Sequence, residues 1–103
     1  MGPGLKEIIY ERALSIELTR NGIVFERQLK IPVYYRGEDL GIGFRIDMLV
    51  EGCLVLEMKS VSALLPLHLA QVMNYLHILN IKRGFLLNFN SRILPEGMKR
   101  VSI

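Results

Sequence analysis

The chain has 103 residues, 50% of them hydrophobic, a mean hydropathy of +0.30 and a formal net charge of +3. That length allows one core and excludes a second domain. No uncharged apolar run reaches about eighteen residues, which excludes a membrane-crossing helix, and so small a positive charge permits a polyanionic partner without requiring one.

Leu5 to Arg20 reads as a helix, because Leu5, Ile8, Ile9, Ala13, Leu14, Ile16 and Leu18 recur close to a 3.6-residue period. Pro3 fits its start, and Asn21-Gly22 stops it, since glycine tolerates the left-handed backbone that ends helices. From Phe25 the period shortens to two: Phe25, Arg27, Leu29, Ile31, Val33 and Tyr35 alternate with Glu26, Gln28, Lys30, Pro32 and Tyr34. That predicts a long strand, at an edge or bulged at Pro32, which has no N–H for a ladder. Arg36-Gly37-Glu38-Asp39 is the turn. A second strand is expected from Phe44 to Val50 and a third from Cys53 to Met58. Ala63 to Asn80 is a second helix, with Pro66 in its first turn, where a missing N–H is harmless. Phe85 to Phe89 reads as a short strand buried on both faces. Pro95-Glu96-Gly97 turns into a last strand, Met98 to Ile103. The order α-β-β-β-α-β-β predicts one α/β domain over residues 1–103, a mixed β-sheet with two covering helices.

High hydropathy in so small a chain predicts apolar surface covered by a partner, a second copy in a homodimer. Cys53 is the lone cysteine, and the N-terminus shows no basic segment followed by an apolar one. A reducing, cytoplasmic setting is therefore expected, with Cys53 a small core residue.

The stretch RIDMLVEGCLVLEMKS, Arg45 to Ser60, puts Asp47, Glu57 and Lys59 inside strands. A two-residue loop at Glu51-Gly52 would pair Asp47 with Leu56 and send the two carboxylates to opposite faces. A three-residue loop, Val50-Glu51-Gly52, pairs Leu49 with Cys53, Asp47 with Val55 and Arg45 with Glu57, so that both acids share a face as diagonal neighbours. The second register is the one predicted, with Phe44, Ile46, Met48, Val50, Leu54, Leu56 and Met58 facing the core. Carboxylates about 4 Å apart repel by roughly 4 kcal/mol at an effective dielectric of about 20. A divalent cation would offset this, and Mg²⁺ suits one or two carboxylates, waters and a phosphate. A solvated cluster with Arg45 and Lys59 would offset it too, and both readings stand on this stretch alone. Glu7 and Glu11, one turn apart on the first helix, could add a carboxylate to the same cleft. Gln71 and Tyr75 share a face of the second helix, His68 preceding Gln71 by three residues.

Asp47, nine intervening residues, Glu57-Met58-Lys59 and then Gln71 and Tyr75 on a helix form a pattern that resembles the PD-(D/E)XK nuclease superfamily. The Gln71-x-x-x-Tyr75 element looks like its exonuclease-type variant. "GPGLKEIIYERAL", "FERQLKIPVYYRG", "EMKSVSALLPLHLAQVMNYL" and "GFLLNFN" are similar to the GxxExxRxxY family of small nucleases. The resemblance implies a restriction-endonuclease-like core and Mg²⁺-dependent hydrolysis of nucleic acid, DNA foremost, with Mn²⁺ as a substitute. It implies that Asp47, Glu57 and the Met58 carbonyl bind the metal and that Glu7 is a further ligand. Lys59 would orient or help deprotonate the attacking water, with Gln71 and Tyr75 holding Lys59, the water or a phosphate. His68 also matches a position usually filled by His. Ile46 stands where the superfamily's name has Pro, and relatives carry a further helix ahead of Gly2-Pro3-Gly4. The other function class is a nuclease-like fold that binds nucleic acid or a protein without cutting. Lys82, Arg83, Arg92, Lys99 and Arg100 are candidate phosphate contacts, though each such residue is more often simply a solvated surface charge.

Overall fold

The computed structural model describes residues 4–90 and 97–103. Its elements are α1 (Leu5–Arg20), β1 (Phe25–Tyr35), β2 (Glu38–Val50), β3 (Leu54–Lys59), α2 (Pro66–Leu79), β4 (Arg83–Asn88) and β5 (Met98–Ser102). The strands form one mixed sheet in the order β1-β2-β3-β4-β5. β3 and β4 are parallel, joined through α2, and every other neighbouring pair is antiparallel. This is the expected α-β-β-β-α-β-β order and a restriction-endonuclease-like α/β arrangement. Pro3, Arg92 and the Pro95-Glu96 part of the expected turn lie outside the described residues.

Local chemistry sets the element ends. The Glu7 carboxylate accepts the Gly4 N–H at 2.8 Å and closes the start of α1. Arg36 and Gly37 both take positive φ, 51° and 82°, the conformation of a two-residue hairpin turn whose twist matches the strands. Tyr35 therefore pairs directly with Glu38, the expected four-residue turn is tighter, and β2 starts at Glu38 instead of Phe44. The register shifts between Pro32 and Tyr34, the bulge that the proline predicts. α2 begins at Pro66 and not at Ala63, because a residue before proline is driven to extended backbone, as Leu65 is at φ −103°, ψ 158°.

The β2–β3 hairpin differs from both registers considered above. Met48 pairs with Leu56, Leu49 with Val55 and Val50 with Leu54, so the loop is Glu51-Gly52-Cys53. The expected pairs Leu49–Cys53, Asp47–Val55 and Arg45–Glu57 do not form. Glu51 and Gly52 both take left-handed backbone, which moves Cys53 out of the strand and into the turn, where it is exposed. Glu51 also ties the turn to the α1–β1 connection: its N–H donates to the Val24 carbonyl at 2.8 Å, and its carboxylate accepts the Val24 N–H at 3.2 Å. The slip is two residues, an even number; carried one rung past the last regular pair, Met48–Leu56, it sets Asp47 against Glu57, where their hydrogen bonds join the strands.

Both faces of the central strands are buried, as the continuous apolar runs of β3 and β4 require. Ile46, Leu49, Val55 and Leu86 pack with Val72, Tyr75 and Leu76 of α2, whereas Met48, Val50, Leu56, Met58 and Leu87 pack with Leu14 and Leu18 of α1. The single core-facing set expected of the hairpin is thus divided between two clusters. Leu54 is only half-buried, and Phe44 stays 37% exposed at the cleft edge. Tyr10 of α1 stacks on Phe89 at 4.1 Å between ring centroids. The outer side of α1 leaves Leu5, Ile9 and Ile16 exposed. Among the described residues no helix is long and apolar enough to cross a membrane.

β4 approaches α2 closely at Gly84. A Cβ there would stand 3.0 Å from the Val55 carbonyl oxygen and 3.1 Å from Val72 Cγ1. Gly84→Ala is expected to lower stability by about 1–3 kcal/mol through overpacking, read as a drop in Tm.

Candidate active site

The site forms where β2 and β3 part. Asp47 donates its backbone N–H to Glu57 Oε1 at 2.9 Å, and Met58 donates its backbone N–H to Asp47 Oδ2 at 2.8 Å. Each carboxylate thus takes an amide of the opposite strand, and the two acids staple the strands just beyond the last regular pair, Met48–Leu56. Both acids are buried there, Asp47 8% and Glu57 4% exposed. Burial, reinforced by the Asp47 charge, pushes the Glu57 carboxyl up to about 8, against the pull of the Asp47 amide and Lys59. Burial also raises Asp47, opposed by the Met58 amide and by Lys59.

β3 carries Lys59 onto the same face, two residues beyond Glu57. Its Nζ lies 3.4 Å from Gln71 Oε1, and Gln71 Nε2 donates to the Tyr75 hydroxyl at 3.0 Å. The one-turn spacing of Gln71 and Tyr75 on α2 makes that chain possible. Tyr75 is 4% exposed and its hydroxyl is pushed up, by burial first and then by the Glu57 and Asp47 charges. Phe44 meets its ring edge-on at 6.0 Å between centroids. These groups open on a cleft of about 970 Å³, whose walls also include Glu7, Lys30, Arg45 and the Gly41–Phe44 stretch of β2.

The structure brings together Asp47, Glu57, Met58, Lys59, Gln71 and Tyr75, with Glu7 at the cleft's edge. Glu7 lines the cleft and also caps its own helix. One oxygen of its carboxylate, Oε2, accepts the Gly4 N–H, and among the described residues no group of three His, Cys, Asp or Glu side chains is placed to hold a metal. Its charge still reaches Asp47, whose proton affinity it raises. Glu11 turns away from the cleft and bonds Gln28 instead. His68 does not line the cleft either: its Nδ1 accepts the Leu65 N–H at 2.9 Å, capping α2. His68→Ala is expected to cost about 1 kcal/mol in thermal unfolding, the usual worth of a helix cap. Lys82, Arg83, Lys99 and Arg100 stand away from the cleft, whose basic groups are Lys30, Arg45 and Lys59.

Asn88 escapes sequence reasoning. It is 5% exposed, its Oδ1 accepts the Val61 N–H at 3.2 Å, and its Nδ2 donates to the Val61 carbonyl at 3.0 Å. That clamp fixes the segment leaving Lys59. The signal available was an amide inside the apolar run Phe85 to Phe89, since a buried amide there needs backbone partners.

The donor set suits a hard divalent cation. Among the described residues, Asp47 Oδ1 and Glu57 Oε2 have no amide donor, and a cation at the mouth of this wide cleft would favour the charged form of both carboxylates against the burial that raises their proton affinity. The family model of the PD-(D/E)XK nuclease superfamily matches residues 1–101. No curated protein and no solved structure gives a match.

Proposed function

Because the chain belongs to the PD-(D/E)XK nuclease superfamily, we propose that its cleft hydrolyses phosphodiester bonds of nucleic acid, DNA foremost, with Mg²⁺ held by Asp47, Glu57 and the Met58 carbonyl. The observation that carries this reading is the pair of buried, mutually stapled carboxylates beside Lys59. What a bound divalent cation supplies is a lowered pKa for the attacking water and an offset to charge growing on the phosphoryl oxygens. Asp47 and Glu57 are held by backbone amides, so their oxygens keep one direction without reorganising. Lys59 brings positive charge to the oxygens that gain negative charge in the transition state. Gln71 steers the Lys59 ammonium, and Tyr75 fixes the Gln71 amide. Lys30 and Arg45 on the cleft wall face flanking phosphates, which position the strand without reading its sequence.

The narrower assignment to the GxxExxRxxY family rests on the segments at residues 2–14, 25–37, 57–76 and 84–90; in the first, Gly4 and Glu7 keep the motif while Tyr10 and Ala13 stand at its arginine and tyrosine. The exposed α1 row of Leu5, Ile9 and Ile16 supports a homodimer as the working assembly. One observation favours binding without cutting: Glu7 Oε2 is engaged in the helix cap, and among the described residues no three His, Cys, Asp or Glu side chains are grouped to hold a metal.

The test incubates the purified protein with single- and double-stranded DNA in Mg²⁺, Mn²⁺ or EDTA, alongside calorimetric titration with Mn²⁺. Cleavage that needs a divalent ion and stops in EDTA is expected. Undiminished cleavage in EDTA overturns the metal-dependent mechanism, and absence of both cleavage and Mn²⁺ binding selects the non-cutting reading.

A further inference from the structure

We propose that Glu11 and Gln28 form a positioning brace that bends β1 and β2 at Asp47 and so makes the Asp47–Glu57 staple possible; the inference rests on the reading of Asp47 as a site residue. Arg27 pairs with Met48 and Leu29 with Ile46, so Gln28 stands across from Asp47. At that rung both strands are irregular. Gln28 has φ of 51°, a left-handed backbone uncommon for a residue with a side chain. On β2, Ile46 and Leu49 lie in one apolar cluster although they are three residues apart, a spacing that sends side chains to opposite faces of a regular strand. The break in alternation therefore falls at or beside Asp47, whose N–H goes to the Glu57 carboxylate.

Something must hold Gln28 in that conformation, and Glu11 does. Gln28 Nε2 donates to Glu11 Oε1 at 2.9 Å, and Glu11, on α1, is only 3% exposed. Among the described residues Gln28 Oε1 has no partner at all. A buried carboxylate and a half-satisfied amide are poor choices for stability, because an apolar pair of similar volume would avoid both desolvation penalties. Strain of this kind persists where the surroundings over-determine it, and here it sits directly behind the site. A second pocket of about 270 Å³ backs the brace, lined by Glu11 and Gln28 and by Arg45, which also walls the main cleft.

The experiment compares Glu11→Gln, Glu11→Leu and Gln28→Gly. Glutamine keeps an acceptor for Gln28, leucine removes it while filling the space, and glycine keeps the positive φ without the brace. Hydrogen exchange at the Asp47 and Met58 amides reads the staple, and exchange at the Val55 and Leu86 amides reads global stability. Glu11→Leu and Gln28→Gly are expected to speed exchange at Asp47 and Met58 by about tenfold or more, with Val55 and Leu86 unchanged. In the same variants kcat should fall by about tenfold with KM nearly constant, and Glu11→Gln should restore both readouts. If Glu11→Leu does not fold, Gln28→Gly decides. Wild-type exchange at Asp47 and Met58 in a folded variant overturns the brace, as does equal acceleration at all four amides. If exchange changes as expected but the wild-type protein cleaves nothing, the brace stands and the nuclease reading falls.

Discussion

Glu57→Gln is expected to stabilise the metal-free protein at pH 8 by about 3 kcal/mol and, in the same molecule, to abolish cleavage. Glu57 is almost wholly buried beside Asp47, and its carboxyl is pushed up to about 8 from an ordinary 4.5. The folded state therefore binds this proton more tightly than the unfolded chain does. Below about pH 4.5 the group is protonated in both states and takes nothing from stability. Between about pH 4.5 and 8 the folded protein must either hold the proton or bury the charge, so stability falls as pH rises, by at most about 5 kcal/mol from this group. Burial of Asp47 acts in the same direction. Glutamine removes the charge while keeping the geometry: its Oε1 accepts the Asp47 N–H, and its Nε2 can donate to the Asp47 carboxylate. Thermal unfolding in EDTA should show wild-type Tm falling from pH 5 to pH 8 and the variant's falling much less, a gap of roughly 10 °C or more at pH 8 for a chain of this size. Mn²⁺ should close the gap by raising the wild-type Tm alone, since an ion that binds only the folded state stabilises it. Equal Tm values for the two proteins at pH 8 would show that Glu57 carries no buried charge to remove.

That trade between stability and chemistry explains what the sequence could and could not disclose. Two acids and a lysine inside apolar strands are visible in a linear reading because they violate the pattern around them. Their proximity was also legible: the register slips by an even number of residues, and hydrogen bonds join Asp47 to Glu57 and Met58. Their direct opposition was not. It follows from left-handed backbone at Glu51, and nothing in a glutamate side chain advertises that conformation as glycine does at Gly37 or Gly52. Gln28 escaped for the same reason: an alternating strand gives no sign that one residue in it has positive φ. The helices were legible to different degrees. α1 has a stop signal at both ends and emerges as expected, Leu5–Arg20, whereas the α2 start was read too early because its apolar residues continue back through Leu64 and Leu65. Glu7 was read as a ligand, and His68 was noted, on helical spacing together with the family resemblance. Both prove to face the open end of their own helix, where unpaired N–H groups compete for any nearby acceptor.

Asp47→Asn is expected to lower kcat by about 10³-fold or more, with little change in KM and an unaltered fold. The two parts of that expectation have separate causes. The fold depends on Asp47 Oδ2 as an acceptor for the Met58 N–H, and the asparagine carbonyl oxygen accepts the same bond. The chemistry depends on the second oxygen and the charge, which asparagine replaces with a neutral amino group that repels a cation. On the proposed reading nucleic acid would be held by phosphate contacts along the cleft walled by Lys30 and Arg45, away from this carboxylate, so KM should hardly move. Circular dichroism and Tm would establish that the variant is folded, and single-turnover cleavage at saturating DNA would isolate the chemical step. Mn²⁺ affinity should fall with kcat, because one of the two buried acids no longer contributes charge. A folded variant that cuts at the wild-type rate would remove Asp47 from the reaction. With Glu57 then the lone buried acid in the cleft, the reciprocal amide bonds would be a means of joining β2 to β3 and nothing more.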